Sequence, residues 1–328
     1  MPSDVAEPIM SAEDMAAIRE RVRAVMAERK ITQAEIARQI GMPYGTFTNW
    51  LGGTYKGRNE RVAEQVLSWL NSLATQERTR AMQPRAPAFV LTKTAEAILA
   101  TLEHGQYTPE MVVITGIPGV GKTSAARWHA SRNPNVWMVT AEPAMSSPNA
   151  LLHALNDELR VEPAGVSALR MSRSLMRKMA GSQGLILIDE AQHLTSPTLD
   201  QLRSFFDIAG VGIALMGNEH VYARLEGGAR SAQYAQLFSR IGMPLRRPRV
   251  LKDDIEALLD AWGVQGAAER KLLHQIARKP GALRNVNKVV RMAHMLAGGD
   301  GAEAMGEGHI AMAWDRLSGG AALQAEAA

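Results

Sequence analysis

Two short stretches of this chain combine residue types in the spacing that chemistry at a phosphate group requires. Gly116-Ile117-Pro118-Gly119-Val120-Gly121-Lys122-Thr123, followed by Ser124, fits the full G-x-x-x-x-G-K-[ST] pattern of a phosphate-binding loop. Its glycines let successive backbone N–H groups turn in around phosphate oxygens with no Cβ in the way, and a helix start just after it adds partial positive charge. Lys122 is then placed to reach the β- and γ-phosphates of ATP, and the Thr123 hydroxyl to ligate Mg²⁺. Further on, the apolar run Gly184-Leu185-Ile186-Leu187-Ile188 ends in Asp189-Glu190. Two carboxylates closing a buried strand form a Walker B pattern: Asp189 would hold Mg²⁺ through its water shell, and Glu190 would orient and polarise the attacking water. Either stretch alone could be a glycine-rich turn or an exposed acidic turn. Together they predict ATP hydrolysis.

The elements that must position these residues are legible from hydrophobic periodicity. Met111–Thr115 reads as a buried parallel strand entering the loop, and Ser124–Ala130 as the helix leaving it. Further strands are predicted at Val136–Ala141, Gly184–Glu190, Gly212–Asn218 and Met243–Leu245, with helical patterns near 93–104, 148–160 and 168–180. Strands alternating with helices make a parallel, three-layer α/β core whose ligand lies at the carboxyl ends of the strands. Helices near 252–263, 267–278, 282–297 and 308–317 predict a small all-α C-terminal domain. Asn218 closes its strand with a polar amide, which by itself could be a turn former.

Composition limits the alternatives. The chain has 328 residues, 46% hydrophobic and 21% charged, which fits a globular protein of two or three domains. Without cysteine it has no disulfide framework, and its eight histidines show no zinc-ligand spacing. No apolar run approaches a membrane span, and no signal peptide is visible at the N-terminus, so a cytoplasmic protein without a membrane partner is expected. The formal charge of +4 is uneven: residues 15–80 hold 11 Lys/Arg against 6 Asp/Glu, and residues 246–297 hold 11 against 5. Solvated helix faces explain such zones as well as nucleic acid does, until motifs are considered.

The first basic zone carries one. Met15, Ile18, Val22, Val25 and Met26 mark one face of a helix over 13–29. Thr32 and Glu35 form a capping-box signature for a second helix, Gly41 stops it, and a third runs from Thr46 to Leu51. This arrangement resembles the phage-repressor-like helix-turn-helix family. The resemblance implies that Tyr44, Gly45, Thr46, Thr48 and Asn49 face the major groove, with Lys56 and Arg58 along phosphates; a protein-binding three-helix bundle is the alternative. Phe47, Trp50 and Leu51 share the apolar face and are expected in the core. Residues 1–74 are thus expected to form a helix-turn-helix DNA-binding domain, 75–90 a linker, 91–248 the ATPase core, 249–318 a helical lid or C-terminal DNA-binding domain and 319–328 a disordered tail.

From about residue 90 to 295 the chain resembles the ring-forming AAA+ class of P-loop NTPases. That resemblance implies roles for Asn218 as sensor 1, for Arg284 in Gly281-Ala282-Leu283-Arg284 as sensor 2, and for Arg240 as an arginine finger reaching a neighbouring subunit. Arg224 and Arg230 compete for the last role. Arg170 and Arg173, between the Walker motifs, are candidate DNA contacts or simply an exposed charged face. The order of helix-turn-helix domain, linker, AAA+ core and basic helical end is similar to the phage Mu transposition protein B family. Membership would imply ATP-dependent filaments on double-stranded DNA with little sequence preference, ATP and Mg²⁺ as cofactors, and a transposase as partner. A helix-turn-helix transcription regulator and a helicase-loader-type ATPase are the other readings.

Overall fold

The computed structural model describes residues 10–82, 86–161, 167–221 and 240–319. The chain divides into two units, Met1–Gln83 and Pro84–Ala328.

The first unit holds α1 (Ala12–Arg29), α2 (Gln33–Ile40), α3 (Tyr44–Leu51) and α4 (Asn59–Met82). Its second helix starts on a reciprocal cap: Thr32 Oγ1 accepts from the Glu35 N–H at 3.3 Å, and the Glu35 carboxylate accepts from the Thr32 N–H at 2.8 Å. Gly41 ends that helix at φ 76°, a conformation that favours glycine. Helix α3 begins at Tyr44 rather than Thr46, because Pro43 takes the position before the first turn. Phe47 and Trp50 are fully buried among Ile18, Val22, Ile36 and Val66. Two arginines of α1 satisfy the carboxyl end of α3: Arg19 Nε donates to the Trp50 carbonyl at 2.7 Å and Arg23 Nη2 to that of Leu51 at 3.0 Å. Helix α4 continues through residues 75–82, the first half of the stretch read as a linker.

The second unit is a five-stranded parallel sheet in the order β2-β3-β4-β1-β5. Its strands are β1 (Met111–Gly116), β2 (Val136–Thr140), β3 (Leu185–Asp189), β4 (Gly212–Gly217) and β5 (Ile241–Arg247). The three central strands are buried at every residue, as parallel strands covered on both faces must be. Strand β5 lies at an edge and alternates in burial, and there Pro244 is tolerated. It is longer than the three residues predicted for it. Helices α5 (Lys93–Tyr107), α6 (Lys122–Arg132), α7 (Pro148–Leu159), α8 (Ala168–Met179) and α9 (Ser196–Ala209) flank the sheet. Two apolar layers result, one on each face. Helix α9, which periodicity did not single out, is entered through Thr195 with Pro197 in its first turn and ended by Gly210 at φ 65°.

The carboxyl-terminal part packs α10 (Lys252–Ala261), α11 (Ala267–Ala277), α12 (Ala282–Gly299) and α13 (Glu307–Ser318) around its own apolar core. A buried carboxylate joins it to the sheet part. Asp254, 0% exposed, accepts from the Thr94 N–H at 2.9 Å and the Thr94 hydroxyl at 2.5 Å. Asp254→Ala would strand both donors out of water, which costs about 3 kcal/mol. Chemical denaturation should show that loss in the transition that added ADP shifts to higher denaturant.

No helix among the described residues is long and apolar enough to cross a membrane.

Candidate nucleotide site

The phosphate loop connects β1 to α6 at the carboxyl edge of the sheet. Gly119 and Gly121 adopt φ of 85° and 103°, which side chains with a Cβ rarely do. Gly116 is required for another reason: a Cβ there would stand 2.6 Å from the Arg247 carbonyl oxygen, which also accepts from the Ile117 N–H at 3.1 Å. The loop is therefore tied to the end of β5. Gly121 leaves the start of α6 without a side-chain cap, so its first-turn N–H groups suit an anionic ligand.

Lys122 Nζ donates to the carbonyls of Gly116 at 2.7 Å and Ile117 at 3.1 Å, curling the ammonium over the loop. Burial pulls its pKa below the usual lysine range; the charges of Asp189 and Glu190 oppose that shift and Arg284 adds to it. Phosphate oxygens would supply the negative charge that this half-buried ammonium lacks. Beside it the Thr123 hydroxyl donates to Asp189 Oδ2 at 2.7 Å, and Asp189 Oδ1 accepts from the Glu190 N–H at 3.0 Å. One hydroxyl and one carboxylate in contact fit Mg²⁺, which keeps most of its waters and takes its remaining ligands from substrate phosphates. Among the described residues no group of three or more His, Cys, Asp or Glu could hold a metal by itself.

A cavity of about 440 Å³ gathers the residues that sequence separates. Gly116 and Pro118 to Ser124 line it, together with Glu190, Asn218 and, from α12, Arg284. Strand β4 lies between β1 and β3, so Asn218 at its end falls between the two Walker stretches. Asn218 Oδ1 also accepts from the His220 N–H at 3.0 Å. Arg284 reaches the cavity because Gly281 sits against the loop: a Cβ on Gly119 would meet the Gly281 carbonyl oxygen at 1.9 Å. Ile117 and Asp189 do not line the cavity; the first is held to β5 and the second is buried beneath Thr123.

Arg240 does not line the cavity either. Its Nε donates to Asp207 Oδ1 at 2.7 Å. Arg224 and Arg230 lie outside the described residues. In the first unit Tyr44 is 57% exposed, Asn49, Lys56 and Arg58 are exposed, and Thr46 is half-buried. Thr48, also half-buried, spends its hydroxyl on Gln33 Oε1 at 3.0 Å. Arg170 and Arg173 are exposed on one face of α8.

Sequence reasoning did not single out the apolar end of the cavity, built by Phe89, Val90, Leu258 and Leu283. No local signal marks the first three, which come together from distant segments. Lys288 and Arg291 also line it; their helical spacing from Arg284 was the available sign. Phe89 stacks on Trp128 at 4.5 Å, and the Arg132 guanidinium covers the Trp128 ring at 3.9 Å.

Behind the loop, His129 is 1% exposed, with Nε2 2.9 Å from Gln106 Oε1, and burial lowers its pKa. Burial lowers that of His294 too. A ring kept neutral in the folded chain but free to protonate once unfolded favours unfolding as pH falls through about 6.5. Denaturation midpoints should therefore drop between pH 7.5 and 5.5, less steeply in His129→Gln, and level off once the folded ring protonates.

The AAA domain model matches residues 105–225, and the model for "Mu B transposition protein, C terminal" matches residues 239–317. The chain is 38% identical over 300 residues, 92% of its own length and 95% of the relative's, to the "ATP-dependent target DNA activator B" of Escherichia phage Mu. It is 35% identical over 266 residues, 80% and 92% of the two chains, to the "Mu-like prophage FluMu DNA transposition protein B" of Haemophilus influenzae. Among solved structures it resembles Cdc6p from Pyrobaculum aerophilum, with TM-score 0.55, 15% identity and coverage of 72% and 70% of the two chains. It also resembles the Aeropyrum pernix ORC1 protein, with TM-score 0.53, 18% identity and coverage of 73% and 69%. These share the AAA+ fold. With a parallel sheet that carries the phosphate loop, a helical carboxyl-terminal part and this pattern of relatives, the chain is an AAA+ ATPase that belongs to the Mu B transposition protein family.

Proposed function

We propose that this ATPase assembles on duplex DNA in its ATP-bound state, with little regard for sequence, and presents that DNA as a target to a transposase. The observation that carries the reading is the near full-length similarity to a protein named an ATP-dependent target DNA activator. The nucleotide cavity supports it. Lys122 and the loop N–H groups bind the phosphates, Thr123 and Asp189 hold Mg²⁺, and Glu190 and Asn218 place the water. Bound Mg²⁺ supplies charge neutralisation at the phosphates. Arg284 couples the lid to the γ-phosphate. Arg240, standing outside its own chain's cavity, is offered to the nucleotide of a neighbouring subunit, so assembly and hydrolysis depend on each other.

In this reading residues 1–74 bind DNA through Tyr44, Thr46, Asn49, Lys56 and Arg58, and Thr48 does so once it leaves Gln33. Residues 91–248 are the ATPase core and 249–318 the lid. Arg170 and Arg173 add phosphate contacts from α8.

Negative-stain microscopy on an unrelated duplex tests the proposal. Filaments are expected with ATP and not with ADP. Changing Arg170 and Arg173 to Ala should weaken binding on every sequence alike and flatten the slope of log affinity against log salt by about 1 per residue. Discrete particles at one sequence, indifferent to nucleotide, would favour a transcription regulator, the reading to which the exposed Tyr44 and Asn49 of α3 lend support.

A further inference from the structure

Glu190 does not stand by itself at the end of β3. It occupies a left-handed conformation, φ 54° and ψ 38°, and the chain then makes a single 3₁₀ turn through Ala191–His193. That turn is closed by hydrogen bonds from the His193 N–H to the Glu190 carbonyl and from the Leu194 N–H to the Ala191 carbonyl, both at 3.1 Å. Residues two apart normally face away from each other. Here the left-handed residue reverses the chain, and the Gln192 carboxamide comes back over the Glu190 carboxylate.

Both ends of that carboxamide are engaged. Its Nε2 donates to Glu190 Oε2, and its Oε1 accepts from the Asn218 N–H at 3.4 Å. One partner is only an acceptor and the other only a donor, so this pair of bonds fixes which end of the amide is which. Gly217 makes the room: a Cβ at that position would stand 2.4 Å from Gln192 Oε1. Gly217 has no positive φ to explain it. It lies at the end of β4, paired with Thr115 just before the phosphate loop, and it lines the cavity together with Glu190 and Asn218.

We propose that Gln192 is a positioning residue for ATP hydrolysis, bridging the Glu190 carboxylate to the Asn218 backbone so that the two groups addressing the attacking water are held as one unit. The proposal rests on the role of Glu190 given above and deepens it. A carboxylate on a flexible side chain samples several rotamers, and a misplacement of about 1 Å in a reacting group can cost about a hundredfold in rate. Gln192 removes that freedom without entering the cavity. It also makes the Glu190 position sensitive to any shift of the β4 end when nucleotide binds.

The test uses the full chain with steady-state ATPase assays and equilibrium binding of a fluorescent ADP analogue. Gln192→Ala is expected to lower kcat about tenfold or more while KM and analogue affinity stay within about twofold. Gly217→Ala is expected to lower kcat in the wild-type background and to add less on top of Gln192→Ala, because the group it displaces is already gone. An unchanged kcat in Gln192→Ala overturns the proposal. So does a loss of nucleotide affinity matching the loss of kcat, which would make Gln192 a structural part of the turn. A wild-type chain that hydrolyses ATP no faster than Glu190→Gln fails differently: it removes the role of Glu190 itself, and this proposal with it.

Discussion

Glu190→Gln is expected to lower the rate of ATP hydrolysis by about 10²- to 10⁴-fold, the usual contribution of a positioned base to a water attack. ATP should stay bound, because the groups proposed to hold its phosphates and Mg²⁺ are Lys122, Thr123, Asp189 and the loop N–H donors, and the charge at 190 acts on them only as one of two carboxylates that oppose the lowering of the Lys122 pKa by burial. The substitution is nearly isosteric and keeps an acceptor oxygen for Gln192 Nε2, so the turn through Ala191–His193 should survive. Phosphate release assays with parallel ATP-binding titrations separate the two effects. Equal losses in both would mean that Glu190 helps hold the nucleotide. If ATP drives assembly on DNA, the same variant should keep its filaments long after wild-type filaments have dispersed, since hydrolysis is what removes the γ-phosphate contacts.

Gly119→Ala is expected to weaken nucleotide binding by a route that the motif alone does not suggest. Its φ of 85° strains any residue with a Cβ, at about 1–3 kcal/mol. The new carbon would also fall 1.9 Å from the Gly281 carbonyl oxygen, so the lid turn that carries Arg284 must move away. Overpacking adds about another 1–3 kcal/mol. A combined loss near 3 kcal/mol corresponds to roughly a hundredfold weaker affinity for ADP, measurable by calorimetry. Gly121→Ala has the backbone strain without the collision, because no atom lies within 4 Å of a Cβ there. It should therefore be the milder of the two, and equal effects would show that the contact with Gly281 is immaterial.

Much of the candidate site was legible in the sequence. The P-loop and Asp189-Glu190 are local patterns, because phosphate binding needs consecutive backbone N–H groups and a strand-ending carboxylate lies one bond from its strand. The three central strands were legible for a related reason: burial on both faces makes Met111–Gly116, Leu185–Asp189 and Gly212–Gly217 continuous apolar runs. Helix α9 was not singled out, although its buried Leu199, Leu202, Phe205 and Ala209 keep helical spacing; Ser196, Pro197, Asp200, Gln201 and Ser204, which lie off that stripe, are residue types common in loops. Its place as the crossover between β3 and β4 is a demand of the sheet, not of its own periodicity.

By itself, the sequence singled out the loop residues proposed to meet phosphate, which are consecutive in the chain, and the strand-ending carboxylate proposed to help hold the metal. Only the tertiary structure decided what surrounds them. Phe89 with Val90, Leu258 and Leu283 reach one cavity from three separate segments, and the Gly281 carbonyl packs against Gly119. Gln192 returns to Glu190 because a residue with a side chain took a left-handed turn. Contacts between distant segments follow from how whole layers pack, and a turn that departs from ordinary backbone preference is held in place by its surroundings. Neither leaves a spacing to be read.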